Sequence, residues 1–89
     1  MKYEWDPQKA KANIRKHKVS FEEATTAIRD PFAATAMDPD HSVGELRYIT
    51  FGFSKIGRLL VVAHTERGEL IRIISARCAS KGERKIYEQ

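Results

Sequence analysis

Basic side chains are concentrated in residues 9–18, which contain five lysines and arginines, one histidine and no acidic residue. In a helix, like charges one turn apart, such as Lys11 and Arg15, cost stability. Their presence therefore favours a functional use, and the phosphates of RNA are the natural anion. A structural explanation is also open, because the helix dipole favours cations near a C-terminus. The candidate RNA-binding residues are Lys9, Lys11, Arg15, Lys16 and Lys18.

Glu45 and Arg47 could combine a carboxylate that accepts or orients a proton with a guanidinium that binds phosphate. Two residues apart in a predicted strand, their side chains would point to one face, which also carries Ile49 and Phe51. A structural ion pair at the end of the sheet explains the same spacing equally well.

Two further arginines lie in or next to a late β-rich segment. Arg72 interrupts an otherwise apolar strand, and a guanidinium inside a small core is costly unless it is paired. We therefore expect Arg72 to reach solvent at the sheet surface or to meet an anion. Arg77 follows the same strand. Guanidinium groups match phosphate oxygens and stay charged at every working pH.

The three histidines differ in their surroundings along the chain. His17 lies among cations at a predicted helix end and is a candidate base. His64 is expected on the apolar face of a strand, beside Leu60 and Val62, where histidine usually has a structural role. His41 lies in a polar loop over 38–44 and carries no signal beyond its residue type.

No spacing typical of a metal site is present, since the single cysteine and the three histidines are scattered. We therefore expect no metal and no cofactor. RNA cleavage can proceed without a metal ion. A base takes the ribose 2′-OH proton, arginines stabilise the charged phosphorane, and an acid protonates the leaving 5′-oxygen.

The composition is that of a small basic globular protein. The 89 residues are 42% hydrophobic and 31% charged, which predicts one domain over 1–89. The net charge of +4 suits a polyanion such as nucleic acid. No apolar run approaches the ~18 residues of a membrane span, and the N-terminus does not resemble a signal peptide. We expect a cytoplasmic protein without membrane association.

Capping motifs predict the first part of the fold. A short strand over 3–5 is followed by a helix with Asp6 as N-cap and Pro7 in its first turn, running to about residue 17. Ser20 and Glu23 form a predicted capping box, in which each side chain binds the backbone N–H of the other residue. Asp30-Pro31 should end this second helix.

Four strands are predicted next, over 32–37, 45–53, 58–66 and 70–76. A second capping box at Ser80 and Glu83 begins a last helix, which should run to the C-terminus and dock on the sheet through Ile86 and Tyr87. The order is β-α-α-β-β-β-β-α. Short turns between successive strands imply a mainly antiparallel sheet with the helices packed on it, an α+β fold.

In this order, the residues resemble the BrnT family of bacterial toxins over nearly the whole chain. The N-terminal part of the pattern is residues 3–7, Lys9-Ala10, Asn13, Lys16-His17 and residues 19–24. The remainder is Asp30-Pro31, Glu45, Arg47, Gly52, residues 71–77, Ala79, Glu83-Arg84 and Tyr87.

The resemblance implies a RelE-like ribonuclease fold and a toxin that inhibits translation by cutting RNA. It also implies a cognate BrnA-like antitoxin with a ribbon-helix-helix domain, and operator DNA that is reached only through the antitoxin complex. The positions that match charged catalytic residues of the sheet face are His17, Glu45, Arg47, Arg72 and Arg77. The base and the acid among them stay unassigned.

Lys18 departs from the family pattern, which often has glycine at this position. A left-handed helix end would cost lysine roughly 1 kcal/mol. Two other functions remain open: a non-catalytic basic nucleic-acid-binding module, and a family member that only binds an antitoxin. Glu45 and His17 favour catalysis, because phosphate binding alone does not need them.

Overall fold

Two capping side chains fix the starts of the first helices in the computed structural model, which describes residues 1–41 and 44–88. The Asp6 carboxylate accepts a backbone N–H two residues on at 2.8 Å, and α1 spans Pro7–His17. The Ser20 hydroxyl accepts a backbone N–H three residues on at 3.0 Å, and α2 spans Phe21–Ile28. Both starts confirm the sequence predictions. No helix in the described residues is long and apolar enough to cross a membrane.

The capping box predicted at Ser20 is wrong in one of its two hydrogen bonds, the one from the Ser20 N–H to the Glu23 carboxylate. The Glu23 carboxylate instead accepts the Ser54 hydroxyl at 2.7 Å and two guanidinium N–H groups of Arg58, one of them at 3.0 Å. The hydrogen bond from Arg58 is the main reason why the pKa of Glu23 lies below its usual value. Charge-assisted bonds to a guanidinium are stronger than a bond to a neutral backbone N–H, so the distant partner prevails.

Five strands form one sheet in the order β1-β5-β4-β3-β2. The pair of β1 with β5 is parallel and the other neighbours are antiparallel, which confirms the prediction of a mainly antiparallel sheet. The strands are β1 Lys2–Glu4, β2 Ala34–Met37, β3 Arg47–Phe53, β4 Leu59–Arg67 and β5 Leu70–Cys78. Since β3 begins at Arg47, the prediction that Glu45 lies in this strand is wrong. Of the predicted polar loop, residues 42 and 43 lie outside the described residues, as does residue 89 of the predicted last helix.

The core lies between one face of the sheet and the helices α1 and α2. Gly52 of β3 contacts α2 so closely that a Cβ would lie 2.2 Å from the carbonyl oxygen of Ala27. Only glycine permits this approach. The buried core residues are Val19, Phe21, Ala24, Ala27, Leu60, Val62, Ile73 and Ala76.

The third helix, α3 (Lys81–Tyr87), packs on the opposite face. It begins with a complete capping box between Ser80 and Glu83, as predicted. The Tyr87 ring stacks on Phe51 with 6.2 Å between centroids, and its hydroxyl donates to the Phe32 carbonyl at 2.7 Å. Ile86, the other predicted contact, is 72% exposed and only borders a shallow depression beside Phe51, so the docking depends mainly on Tyr87.

Asn13 fastens α1 to the edge of β5. Its buried side chain donates to the carbonyl oxygens of Val19 at 2.9 Å and Ala76 at 2.7 Å, and accepts the Ala76 N–H at 3.1 Å. Strand β1 pairs with β5 only as far as Arg72. Beyond that point, the amide of Asn13 takes the place of a neighbouring strand.

Lys18 ends α1 in the left-handed conformation, with φ 60° and ψ 32°. Its N–H donates to the Ile14 carbonyl at 2.9 Å, which closes the last turn. The structure therefore confirms the conformation in which lysine is less favourable than glycine by roughly 1 kcal/mol.

We predict that Asn13→Ala lowers the free energy of unfolding by about 2–4 kcal/mol, because buried backbone groups would lose their partners. Urea denaturation checks this, with Gln8→Ala as the control on the exposed surface of the same helix. A loss no larger in Asn13→Ala than in the control would show that the amide contacts contribute little.

Candidate functional site

Strand register places Arg47, Arg72 and Arg77 on the face of the sheet away from α1 and α2. Arg47 and Arg72 both pair with Thr65, and Arg77 pairs with Val61. Side chains of directly paired residues share a face. We call this the open face; α3 covers only the part near Phe51.

A shallow cleft of about 220 Å³ lies on the open face, between the starting end of β3 and the finishing end of β5. We call it the arginine cleft. Its lining residues are Asp38, His41, Arg47, Ile49, Val61, Ala63, Ile74, Ser75 and Arg77.

A second depression of about 200 Å³ lies between α1 and β5. We call it the helix groove, and its lining residues are Lys9, Ala12, Asn13, Lys16, His17, Ile74 and Ser75. Ile74 and Ser75 line both depressions, which therefore adjoin. The pairing register of β4 and β5 shifts here, since Ser75 pairs with Ala63 but Ile73 pairs with His64. The extra residue, Ile74, forms a bulge, a feature that is common next to active sites.

Arg77 is held by a bidentate ion pair with Glu83 at the start of α3. The guanidinium nitrogens lie 2.7 and 2.9 Å from the two carboxylate oxygens. This contact is the main reason why the pKa of Glu83 falls to about 2 and the pKa of Arg77 rises. Glu83 also accepts the Ser80 N–H at 2.8 Å, so the same carboxylate caps α3 and orients Arg77.

Arg72 reaches the sheet surface and meets an anion, as its sequence position predicted. The anion is Glu4 of β1, 2.7 Å away, and both side chains are partly exposed. Arg72 is not among the residues that line the arginine cleft.

The expectation that Glu45 lies beside Arg47 in the strand is wrong. It precedes β3 and pairs across the sheet with Arg67, at 2.8 Å. The pairing register explains this partner, because Arg47 faces Thr65 and two residues further back the chain reaches the level of Arg67. Glu45 is exposed and outside the arginine cleft.

The predicted basic cluster divides between two sides of α1. Lys9, Lys16 and His17 line the helix groove. The other three residues, Lys11, Arg15 and Lys18, are exposed and do not line it.

His64 is buried on the core face, with Nε2 2.7 Å from the Thr50 hydroxyl oxygen. Burial lowers the pKa of His64, so the ring is neutral at pH 7. This position supports the structural role that the sequence favoured for His64.

Sequence reasoning missed Asp38, His41 and Ser75, all of which line the arginine cleft. His41 Nδ1 lies 2.8 Å from Asp38 Oδ2, across a 3₁₀ turn at Pro39–His41. The Asp-Pro pair three residues before a histidine was an available signal, because such a turn brings the two side chains together.

No three or more histidine, cysteine, aspartate or glutamate side chains are arranged to hold a metal ion in residues 1–41 and 44–88. The polar groups that line the two depressions include cations, one imidazole in each, the carboxylate of Asp38, the hydroxyl of Ser75 and the amide of Asn13. These groups can bind phosphate and transfer protons.

Comparison with known proteins gives the following matches. The family model described as ribonuclease toxin, BrnT, of type II toxin–antitoxin system matches residues 5–83. The 1.1 Å crystal structure of the Brucella abortus ribonuclease toxin BrnT is similar, with a TM-score of 0.66 and 25% sequence identity. That match covers 91% of this chain and 99% of the Brucella chain. No curated protein sequence matches the chain.

We predict that Glu83→Gln destabilises the protein at pH 7 and that the difference from wild type shrinks in acid. A carboxylate with a lowered pKa stabilises the fold fully above its unfolded value of about 4.5, and this contribution is lost as the pH falls towards about 2. Thermal unfolding from pH 7 down to pH 2 measures it. A difference that stays constant over this range would contradict a charge-based origin.

Proposed function

Since this chain belongs to the BrnT family of ribonuclease toxins from type II toxin–antitoxin systems, we propose that it cuts RNA without a metal ion and thereby inhibits translation. The main support is the junction of the arginine cleft with the helix groove at Ile74 and Ser75. Together they form one continuous surface, with guanidinium groups at one end and lysines at the other. An RNA strand lying along it would place successive phosphates against cations.

The arrangement suits cleavage by the 2′-hydroxyl of the ribose itself. A base takes the 2′-OH proton, O2′ attacks phosphorus, and the bond from phosphorus to O5′ breaks. In this proposal Arg47 and Arg77 stabilise the extra negative charge on phosphorus, and His17 in the helix groove is a candidate base. Arg72 and Glu45 flank the site in their ion pairs with Glu4 and Arg67.

Membership of a type II toxin–antitoxin family implies a protein antitoxin. We propose a BrnA-like antitoxin with a ribbon-helix-helix domain, through which the complex reaches operator DNA, and an acidic segment that covers the open face. Carboxylates already match the guanidinium groups here, as in the pairs of Arg67, Arg72 and Arg77 with glutamates of the chain. A carboxylate-rich segment could use the same geometry, and while bound it would exclude RNA.

We predict that the purified protein cleaves RNA in excess chelator and that Arg47→Ala lowers the cleavage rate by about 10²–10³, the usual loss for one transition-state donor. Gel analysis of a defined RNA measures the rate. Arg29→Ala, at the exposed end of α2, is the matched control and should keep the wild-type rate.

Three results would count against this function. They are activity that needs an added divalent metal, a folded Arg47→Ala variant as active as the control, and RNA that is bound by the wild type but never cut. The last result would favour the non-catalytic nucleic-acid-binding module.

We also predict that Arg47→Glu weakens binding of the co-encoded antitoxin and makes that binding less sensitive to salt, because a favourable charge contact becomes a repulsive one. Titration calorimetry at several salt concentrations measures both quantities, with Arg29→Glu as the control for the change in net charge. If both variants behave alike, the antitoxin docks away from the open face.

A further inference from the structure

The turn that precedes the described start of β3 holds an imidazole at the arginine cleft. Asp38 holds the turn by two hydrogen bonds. Its backbone N–H donates to the Arg47 carbonyl at 2.8 Å, which ties the turn to β3, and its carboxylate accepts the Asp40 N–H at 3.2 Å within the turn. The chain then makes one 3₁₀ turn over Pro39–His41. These hydrogen bonds therefore fix the position of His41 relative to Arg47.

The imidazole is fixed at one nitrogen and accessible at the other side. His41 Nδ1 lies 2.8 Å from Asp38 Oδ2, and the Asp38 side chain is 14% exposed while that of His41 is 66% exposed. An ionised carboxylate only accepts hydrogen bonds, so Nδ1 carries the hydrogen and donates it. Nε2 is then the nitrogen that exchanges protons with a bound molecule.

In-line cleavage needs a base and an acid on opposite sides of the phosphorus atom, because O2′ enters where O5′ leaves. The two depressions offer one histidine each: His17 lines the helix groove and His41 lines the arginine cleft. The two depressions adjoin at Ile74 and Ser75, so a phosphate bound at this junction would lie between the two histidines.

We infer that His41 is a further catalytic residue, the acid that protonates the leaving 5′-oxygen, and that Asp38 is its positioning residue. This inference rests on the ribonuclease function proposed above. O2′ loses its proton to the base and bonds to phosphorus, the bond from phosphorus to O5′ breaks, and O5′ takes the Nε2 proton of His41, which enters the step as the imidazolium. The products are a 2′,3′-cyclic phosphate and a free 5′-hydroxyl. The His41 ring, now neutral, keeps its Nδ1 hydrogen, which stays hydrogen-bonded to Asp38.

The test compares two RNA substrates that differ at one atom of the cleaved linkage. In the first the bridging 5′ atom is oxygen, and in the second it is sulfur, which leaves as a thiolate and does not need a proton. His41→Ala should lose about 10²–10⁴ in rate on the oxygen substrate, the usual contribution of a positioned acid. On the sulfur substrate it should stay within about tenfold of the wild type, since no acid is required there.

Three further measurements separate proton transfer from binding and folding. Asp38→Asn keeps the side-chain size and should give a smaller loss on the oxygen substrate, with the same recovery on sulfur. Asp40→Asn, an exposed position in the same turn, should match the wild type on both substrates. Affinity for an RNA with a 2′-O-methyl group at the cleaved position should be unchanged in His41→Ala.

The outcomes distinguish this inference from the function on which it rests. If the wild type cuts RNA and His41→Ala cuts it as fast, or loses equally on both substrates, His41 is not the acid and the ribonuclease function stands. A loss explained entirely by weaker binding of the methylated RNA overturns the inference in the same way. If the wild type cuts neither substrate, the proposed function itself fails and the inference fails with it.

Discussion

The hydrogen bonds of the Asn13 side chain join α1 to β5, and the helix groove between these two elements depends on that junction. The N–H and carbonyl of Ala76 lie beyond the end of β1 and would otherwise be buried without partners. One amide supplies a donor to one group and an acceptor to the other, which avoids the penalty of desolvated polar backbone. Because these bonds leave no freedom to slide along the strand, they also set where Lys16 and His17 lie relative to the bulge at Ile74.

The ion pairs described above differ in how firmly they are held. Glu23 and Arg58 lie on the core side, are linked to Ser54, and fasten α2 to the turn between β3 and β4. The pairs of Arg67 with Glu45 and Arg72 with Glu4 are exposed or partly exposed, and such pairs are weak enough to rearrange when another anion arrives. Arg77 is intermediate, since its carboxylate partner is also needed by α3. An anion binding at the open face would therefore displace the carboxylates of Glu4 and Glu45 more easily than that of Glu83.

The parts of the fold set by local rules could be predicted from the sequence. Asp6, Ser20 and Ser80 each cap a helix through a contact two or three residues away, and strand alternation placed His64 on the core face. Contacts between distant segments were not predictable in this way. Glu23 found its partner 35 residues later, and Glu45 pairs with an arginine of another strand instead of its near neighbour. His41 was overlooked because a loop histidine has no periodicity, and the Asp-Pro turn signal that could have linked it to Asp38 was not used.

The N-terminal strand is synthesised first and completes the sheet late. Residues 2–4 pair with residues 70–72, and Asn13 binds Ala76, so neither contact can form until β5 has left the ribosome. Contacts this far apart in sequence also form slowly, because a long loop must close before they stabilise anything. A growing chain therefore has α1 well before it has the strand that aligns it with the arginines. The surface made by the arginine cleft and the helix groove therefore cannot form on a nascent chain that still lacks β5.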